Sequence, residues 1–162
     1  MRAPPLTVVL LAVAVPLLSS QKAAEGAAPR RPKLPRGADT SSGYDYYRLG
    51  LSRLRVNPKE AAAAFYWAER LSPLTAVAYY GERIALLMAD PYTLRGYIEG
   101  DRRVLASARV RRIDSLQVRA VTLDPFFPRN LDEDLIVTYF TNLVRDRLRT
   151  PTSGPCARTR SI

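Results

Sequence analysis

Four times between residues 57 and 125, a short polar residue stands directly before a proline: Asn57-Pro58, Ser72-Pro73, Asp90-Pro91 and Asp124-Pro125. Nothing else in the chain limits its folding so strongly. Asn, Ser and Asp accept hydrogen bonds from the unpaired amides of a helix start. Proline at the first helical position loses nothing, because its missing N–H would have had no partner. Where such a pair does not open a helix, it closes the preceding one. Either way the chain is cut into helix-length pieces. Asn57 with Glu60, three residues on, has the form of a capping box.

The pieces carry helical spacing. Ala61, Ala64, Phe65, Ala68 and Leu71 form one stripe, and Val77, Tyr80, Ile84 and Leu87 another. The last piece, Leu131 to Leu148, places Leu135, Ile136, Tyr139, Phe140, Leu143 and Val144 on a broad apolar face. Asp132, Glu133 and Asp134 sit in its first turn, and Arg145, Arg147 and Arg149 in its last, as the helix dipole favours. No stretch alternates like a strand. The expectation is an all-α domain over residues 44–149, with roughly five to seven helices; short connections make neighbours antiparallel hairpins.

Apolar residues are 47% of the 162, enough for one packed core. The chain has no histidine and a single cysteine, Cys156. This excludes His-based catalysis, the usual His/Cys zinc sites and an internal disulfide. No Gly-rich phosphate loop, nucleophile elbow or metal cluster is visible. A non-enzymatic chain without cofactor or metal is therefore expected. The charge of +10 gathers at the ends, in "RRPKLPR" (Arg30 to Arg36) and in Arg147, Arg149, Arg158 and Arg160. The segment Ser41–Asp146 holds 15 basic and 13 acidic residues, so the middle is nearly balanced.

Residues 1–28 read as a signal peptide. Arg2 gives the positive start, the run Leu6–Leu18 the apolar core, and "AAEGAAP" the small residues for cleavage. That run is short for a membrane span, and an uncleaved N-terminal anchor is the alternative reading. The expected location is outside the cytoplasm, periplasmic or extracellular. Residues 29–43 read as a flexible Pro/Arg-rich linker, and residues 150–162 as a disordered tail.

The alanine run "AAAAFYWAERLSPL" then acquires a meaning. Ala61, Phe65, Ala68 and Pro73 stand as A-x3-F-x2-A-x4-P, and Tyr46, Leu49 and Gly50 as Y-x2-L-G. Together they resemble a tetratricopeptide repeat, over Tyr44–Asp90. The resemblance implies stacked helical hairpins in a short solenoid, with small residues allowing close packing and the aromatic filling the gap. Ala120, Leu123 and Pro125 repeat the ending of Ala68, Leu71 and Pro73 after 52 residues rather than the family's period of about 34.

Such a fold implies a concave face that binds an extended peptide or a partner helix. Tyr44, Tyr47, Leu51 and Arg55 from the first unit, with Tyr80 and Ile84 from the second, are the expected partner-binding residues; packing against a neighbouring helix is the alternative for the tyrosines. The run "DRRVLASARVRR" (Asp101–Arg112), read as one helix, sets Arg102 and Arg109 on one face with Arg112 close by. These three are candidates for an anionic surface, or simply a solvated helix face. Asp132, Glu133 and Asp134 suit helix-start charges better than acid/base catalysis. "LDPFFPRNLD" reads as a rigid turn whose phenylalanines plug the core or a docking groove. The expected partner is a protein or peptide in the cell envelope. Electrostatic binding to an anionic polymer or membrane surface is the second reading. Nucleic acid is not expected, and membrane contact only through an uncleaved leader.

Overall fold

The computed structural model describes residues 28–149 of the chain. The leader and tail readings otherwise lie outside them. The described residues form seven helices and no strand: α1 Gly43–Arg53, α2 Pro58–Leu71, α3 Ala76–Met88, α4 Pro91–Glu99, α5 Arg102–Leu105, α6 Ala108–Leu123 and α7 Asp132–Arg149. The all-α expectation holds. None of these helices is long and apolar enough to cross a membrane.

The polar-proline pairs do both jobs. Asn57 opens α2: its side chain accepts from the Glu60 amide at 3.3 Å and donates back to the Glu60 carboxylate at 3.4 Å. Asp90 opens α4 by accepting from the Tyr92 and Thr93 amides, with the Thr93 hydroxyl closing the cap at 2.8 Å. Ser72 instead ends α2, and Asp124 ends α6. Gly100 closes α4 in the left-handed conformation, φ 74°, and the next amide, Asp101, reaches back to the Gly96 carbonyl at 2.8 Å. The arginine run is not one helix. It breaks at Ala106–Ser107, because the Ser107 hydroxyl accepts from the Val110 amide and starts α6 afresh.

Helix α3 lies at the centre, touching α1, α2, α4, α6 and α7. Ten of its 13 residues are buried. Helices α1 and α2 form one hairpin. Helix α3 finds its long antiparallel partner not in α4 but in α6, through Val110, Ile113 and Ala120. Helices α4 and α5 are an excursion between the two. Helix α7 returns over α3 and α4, and Leu131 and Leu135 enter the core from it and its lead-in.

Of residues 29–43, whose composition suggests a free linker, Gly43 opens α1 and the segment before it is held against the helices. The Trp67 indole donates to the Pro29 carbonyl at 3.1 Å. The Arg31 guanidinium lies 5.0 Å from both the Tyr46 and the Trp67 ring centres and donates to the Thr40 carbonyl. Leu34 packs on the same aromatic cluster. Two aromatic faces holding one cation give a Pro/Arg-rich segment a fixed seat.

Close packing surrounds Phe65 on two sides. A Cβ placed on Gly50 of α1 or on Gly81 of α3 would lie 2.6 Å from its ring. Phe65 is wholly buried and gripped from both sides, so it cannot yield. Gly81→Ala should therefore destabilise by about 1–3 kcal/mol through overpacking, outweighing the ~1 kcal/mol that alanine gains in a helix. The same change in a Phe65→Leu background should cost measurably less, and urea unfolding of the four-member cycle checks this.

Candidate functional site

On α1, three of the expected partner-binding residues are accessible. Tyr44 is exposed with Arg48 stacked 5.9 Å from its ring centre, and Leu51 is exposed one face-repeat along. Tyr47 is half-buried, its ring 5.8 Å from Phe65, and burial raises its phenol pKa. Arg55 is exposed but engaged: its Nε donates to Asp134 of α7 at 2.6 Å.

Tyr80 and Ile84 do not face an open groove. Tyr80 is only 1% exposed and Ile84 fully buried. The α6–α7 turn and the start of α7 cover them: the Phe127 ring centre lies 5.0 Å from that of Tyr80, and Leu131 and Leu135 join the same cluster. The Tyr80 hydroxyl donates to Asp132 at 2.8 Å. Burial first, and then that carboxylate, push the phenol pKa upward, so the proton stays on the hydroxyl. Asp132 and Asp134 thus pin α7 down, through Tyr80 and Arg55, while Glu133 points outward. The "PFFP" turn supplies one plug, Phe127, and leaves Phe126 exposed.

The opposite side of α3 is open. Successive helical residues turn by 100°, so Tyr80, Ile84 and Leu87 face α7 while Glu82, Leu86 and Ala89 face away. There, α2 and α6 stand on either side of α3 and leave a groove of about 400 Å³. Ala62 and Ala63 form one wall, Ile113 part of the other, and Leu86 and Ala89 the floor. Lys59 and Arg112 supply cations, and Arg109 does so while paired with Asp90 at 3.3 Å. The alanine run therefore has two uses. Ala61 and Ala64 are fully buried on the Phe65 side, and Ala62 and Ala63 keep the groove wall low. Arg109 and Arg112 come together here on α6, whereas Arg102 belongs to α5 and does not line the groove.

At the base of the groove is a feature that the sequence reading missed. Glu82 of α3 and Glu69 of α2 are both buried and adjacent. Burial is the main force raising both pKa values; for Glu69, the Glu82 charge adds to it, carrying the group to about 10. Glu69 Oε1 receives no donor from any other residue, and the raised pKa keeps a proton on the pair at neutral pH. Arg70, Arg112 and Arg119 lie near enough to oppose the shift without cancelling it. The pair is thus a carboxyl–carboxylate couple sharing a proton, held beneath a cation-rimmed groove. A signal existed: Glu69 continues the Ala61, Phe65 spacing, a charged residue on an otherwise apolar stripe. Lys59 carried no such mark, because its position depends on α6 folding back. Among the described residues, no group of three or more carboxylate or thiol side chains converges to hold a metal ion.

No family model, curated protein or solved structure matches this chain. The likeness to a tetratricopeptide repeat therefore rests on its own residues.

The shared proton has a consequence for stability. A folded-state carboxyl pKa raised above its unfolded value means that the folded chain holds a proton that the unfolded chain has released. That stability is fully present below the unfolded pKa, near 4.5, and is lost as pH climbs toward about 10. Melting temperature should fall steadily between acid-neutral and alkaline pH. Glu69→Gln should flatten the slope and stabilise the protein on the alkaline side, which thermal melts across a pH series will read.

Proposed function

We propose that this chain is a non-enzymatic, tetratricopeptide-like interaction module that holds a segment of another protein in the α2–α6 groove. The observation that carries the reading is the groove itself. Its alanine wall and apolar floor fit the body of a helix or extended segment, and Lys59, Arg109 and Arg112 select acidic side chains on it. Apolar contact supplies affinity, and the cations supply orientation.

The repeat reading gains support from spacing. The α1–α2 hairpin and the α3–α6 pair are two units of the same kind, with α4–α5 inserted into the second. The two A-x2-L-x-P endings lie 52 residues apart, which exceeds a period of about 34 by 18. Residues 90–107, from the cap of α4 to the cap of α6, are 18 in number. The leader reading places this work outside the cytoplasm, in the envelope or beyond.

The purely electrostatic reading has less behind it. Arg102 is separated from Arg109 and Arg112 by the break at Ser107, and Arg109 already faces Asp90. Fluorescence anisotropy with labelled peptides separates the two. An acidic, amphipathic peptide should bind and keep binding as salt rises, while its basic counterpart should not bind. Lys59→Glu and Arg112→Glu should each weaken it by about tenfold or more, near 1.4 kcal/mol, with unchanged circular dichroism. Binding of a polyanion or anionic vesicles alone, lost in high salt, would overturn the proposal.

A further inference from the structure

The α2–α6 groove does not stop at Lys59. Lys59 and Ala89 also line a second depression, of about 680 Å³, so the two meet across them. The second lies between the start of α2, the α3–α4 junction and α7, with Asn57 and Pro58 on one side and Thr138 and Arg145 on the other. At the other end of the groove stands Pro29, held by the Trp67 indole. Trp67 is two turns of α2, roughly 12 Å, from Lys59. A seated segment longer than the groove therefore continues past Lys59, toward α7.

The walls select an extended chain. A path through both depressions passes from one set of helices to another and has to turn. A helix without proline stays nearly straight and keeps its backbone hydrogen bonds to itself. An extended segment can turn, and its amides and carbonyls need partners. The second depression offers them: Thr138, Thr141 and Asn142 line it with hydroxyl and amide groups, whereas the wall of the groove is alanine.

Charge selects an acidic one. Arg55 is matched by Asp134, and Arg109 by Asp90. Lys59 and Arg145 form no ion pair among the described residues. Lys59 stands where the two depressions meet, and Arg145 stands at the far end of the second. The lining of α7 runs from Asp134 to Arg145, roughly 16 Å of helix, which an extended chain covers in about five residues. We propose that the occupant is an extended acidic segment of a partner protein that continues from the groove past Lys59 and along α7, with one carboxylate on Lys59 and another on Arg145. The proposal rests on the reading that the groove holds a protein segment.

Fluorescence anisotropy with the full chain tests this. The probe is a labelled peptide of about ten residues with glutamates near both ends and a central proline, which prevents a helix. It should bind. Arg145→Glu and Lys59→Glu should each weaken it about tenfold or more, with unchanged circular dichroism. Replacing the glutamates at one end of the peptide with arginine should restore binding to Arg145→Glu but not to Lys59→Glu, and that end gives the direction of the chain. A peptide of the same charges locked as a helix by a side-chain lactam should bind less tightly. Loss of binding in Lys59→Glu with none in Arg145→Glu would overturn this proposal and leave the groove reading standing. Tighter binding of the helix-locked peptide would also overturn it, as would failure of either arginine-ended peptide to rescue Arg145→Glu. Failure of every acidic peptide to bind would overturn both.

Discussion

The ring of Phe65, closed between Gly50 and Gly81, is the contact on which the remaining architecture depends. Neither glycine has a Cβ to hold α1 or α3 away, so both backbones approach the ring until it is entirely buried. Burying a phenylalanine stabilises by about 1.5–3 kcal/mol, but its geometric effect matters more. Three helices are locked at one level, and the rotation of α3 about its own axis is set. Once that rotation is set, Tyr80 and Ile84 must turn toward α7, and Glu82 and Leu86 toward the groove.

Helix α3 thus separates two different environments. On one side a dry cluster closes under Phe127, Leu131 and Leu135, sealed at its edge by the Tyr80–Asp132 hydrogen bond. On the other side the floor is polar at one point only, where Glu82 meets Glu69. A buried carboxylate without a partner is strongly unfavourable, and a proton shared by two carboxyls is the least costly way to keep both there. That arrangement places a proton-dependent element directly beneath the cations of the groove, so charge at the groove base and stability of the α2–α3 contact are linked.

The extent to which this could be read from the chain differs by residue. Asn57 and Asp90 are legible as helix starts because a cap is a local bargain among a side chain, two or three amides and a proline. Ala61, Phe65 and Ala68 are legible as a packing face for the same reason: their spacing is a property of one helix. The break between Leu105 and Ala108 is harder to see, since it turns on whether one serine hydroxyl bonds an amide ahead of it or leaves a longer helix intact. The pairing of α3 with α6 is harder again. Sequence neighbours usually pack together, and α4 stands next in line, yet α4 is short and its glycine-closed end turns the chain away. Residues 29–43 have the composition of a linker, and the facing rings of Tyr46 and Trp67 give Arg31 a place to stay.

By itself, the sequence determined the all-α class, most helix starts and stops, the small-and-large packing of α2 and the absence of histidine chemistry, because each follows from residues within a few turns of one another. Tertiary structure alone decided which side of α3 is open. It buried Tyr80 and Ile84 beneath α7, split the arginine run between two helices, brought Lys59 to Arg112, and joined Glu69 to Glu82. Each of those outcomes depends on how far α6 and α7 fold back over α3. That is settled by the fit of whole helix faces around one aromatic ring, a property that no local stretch of the chain contains.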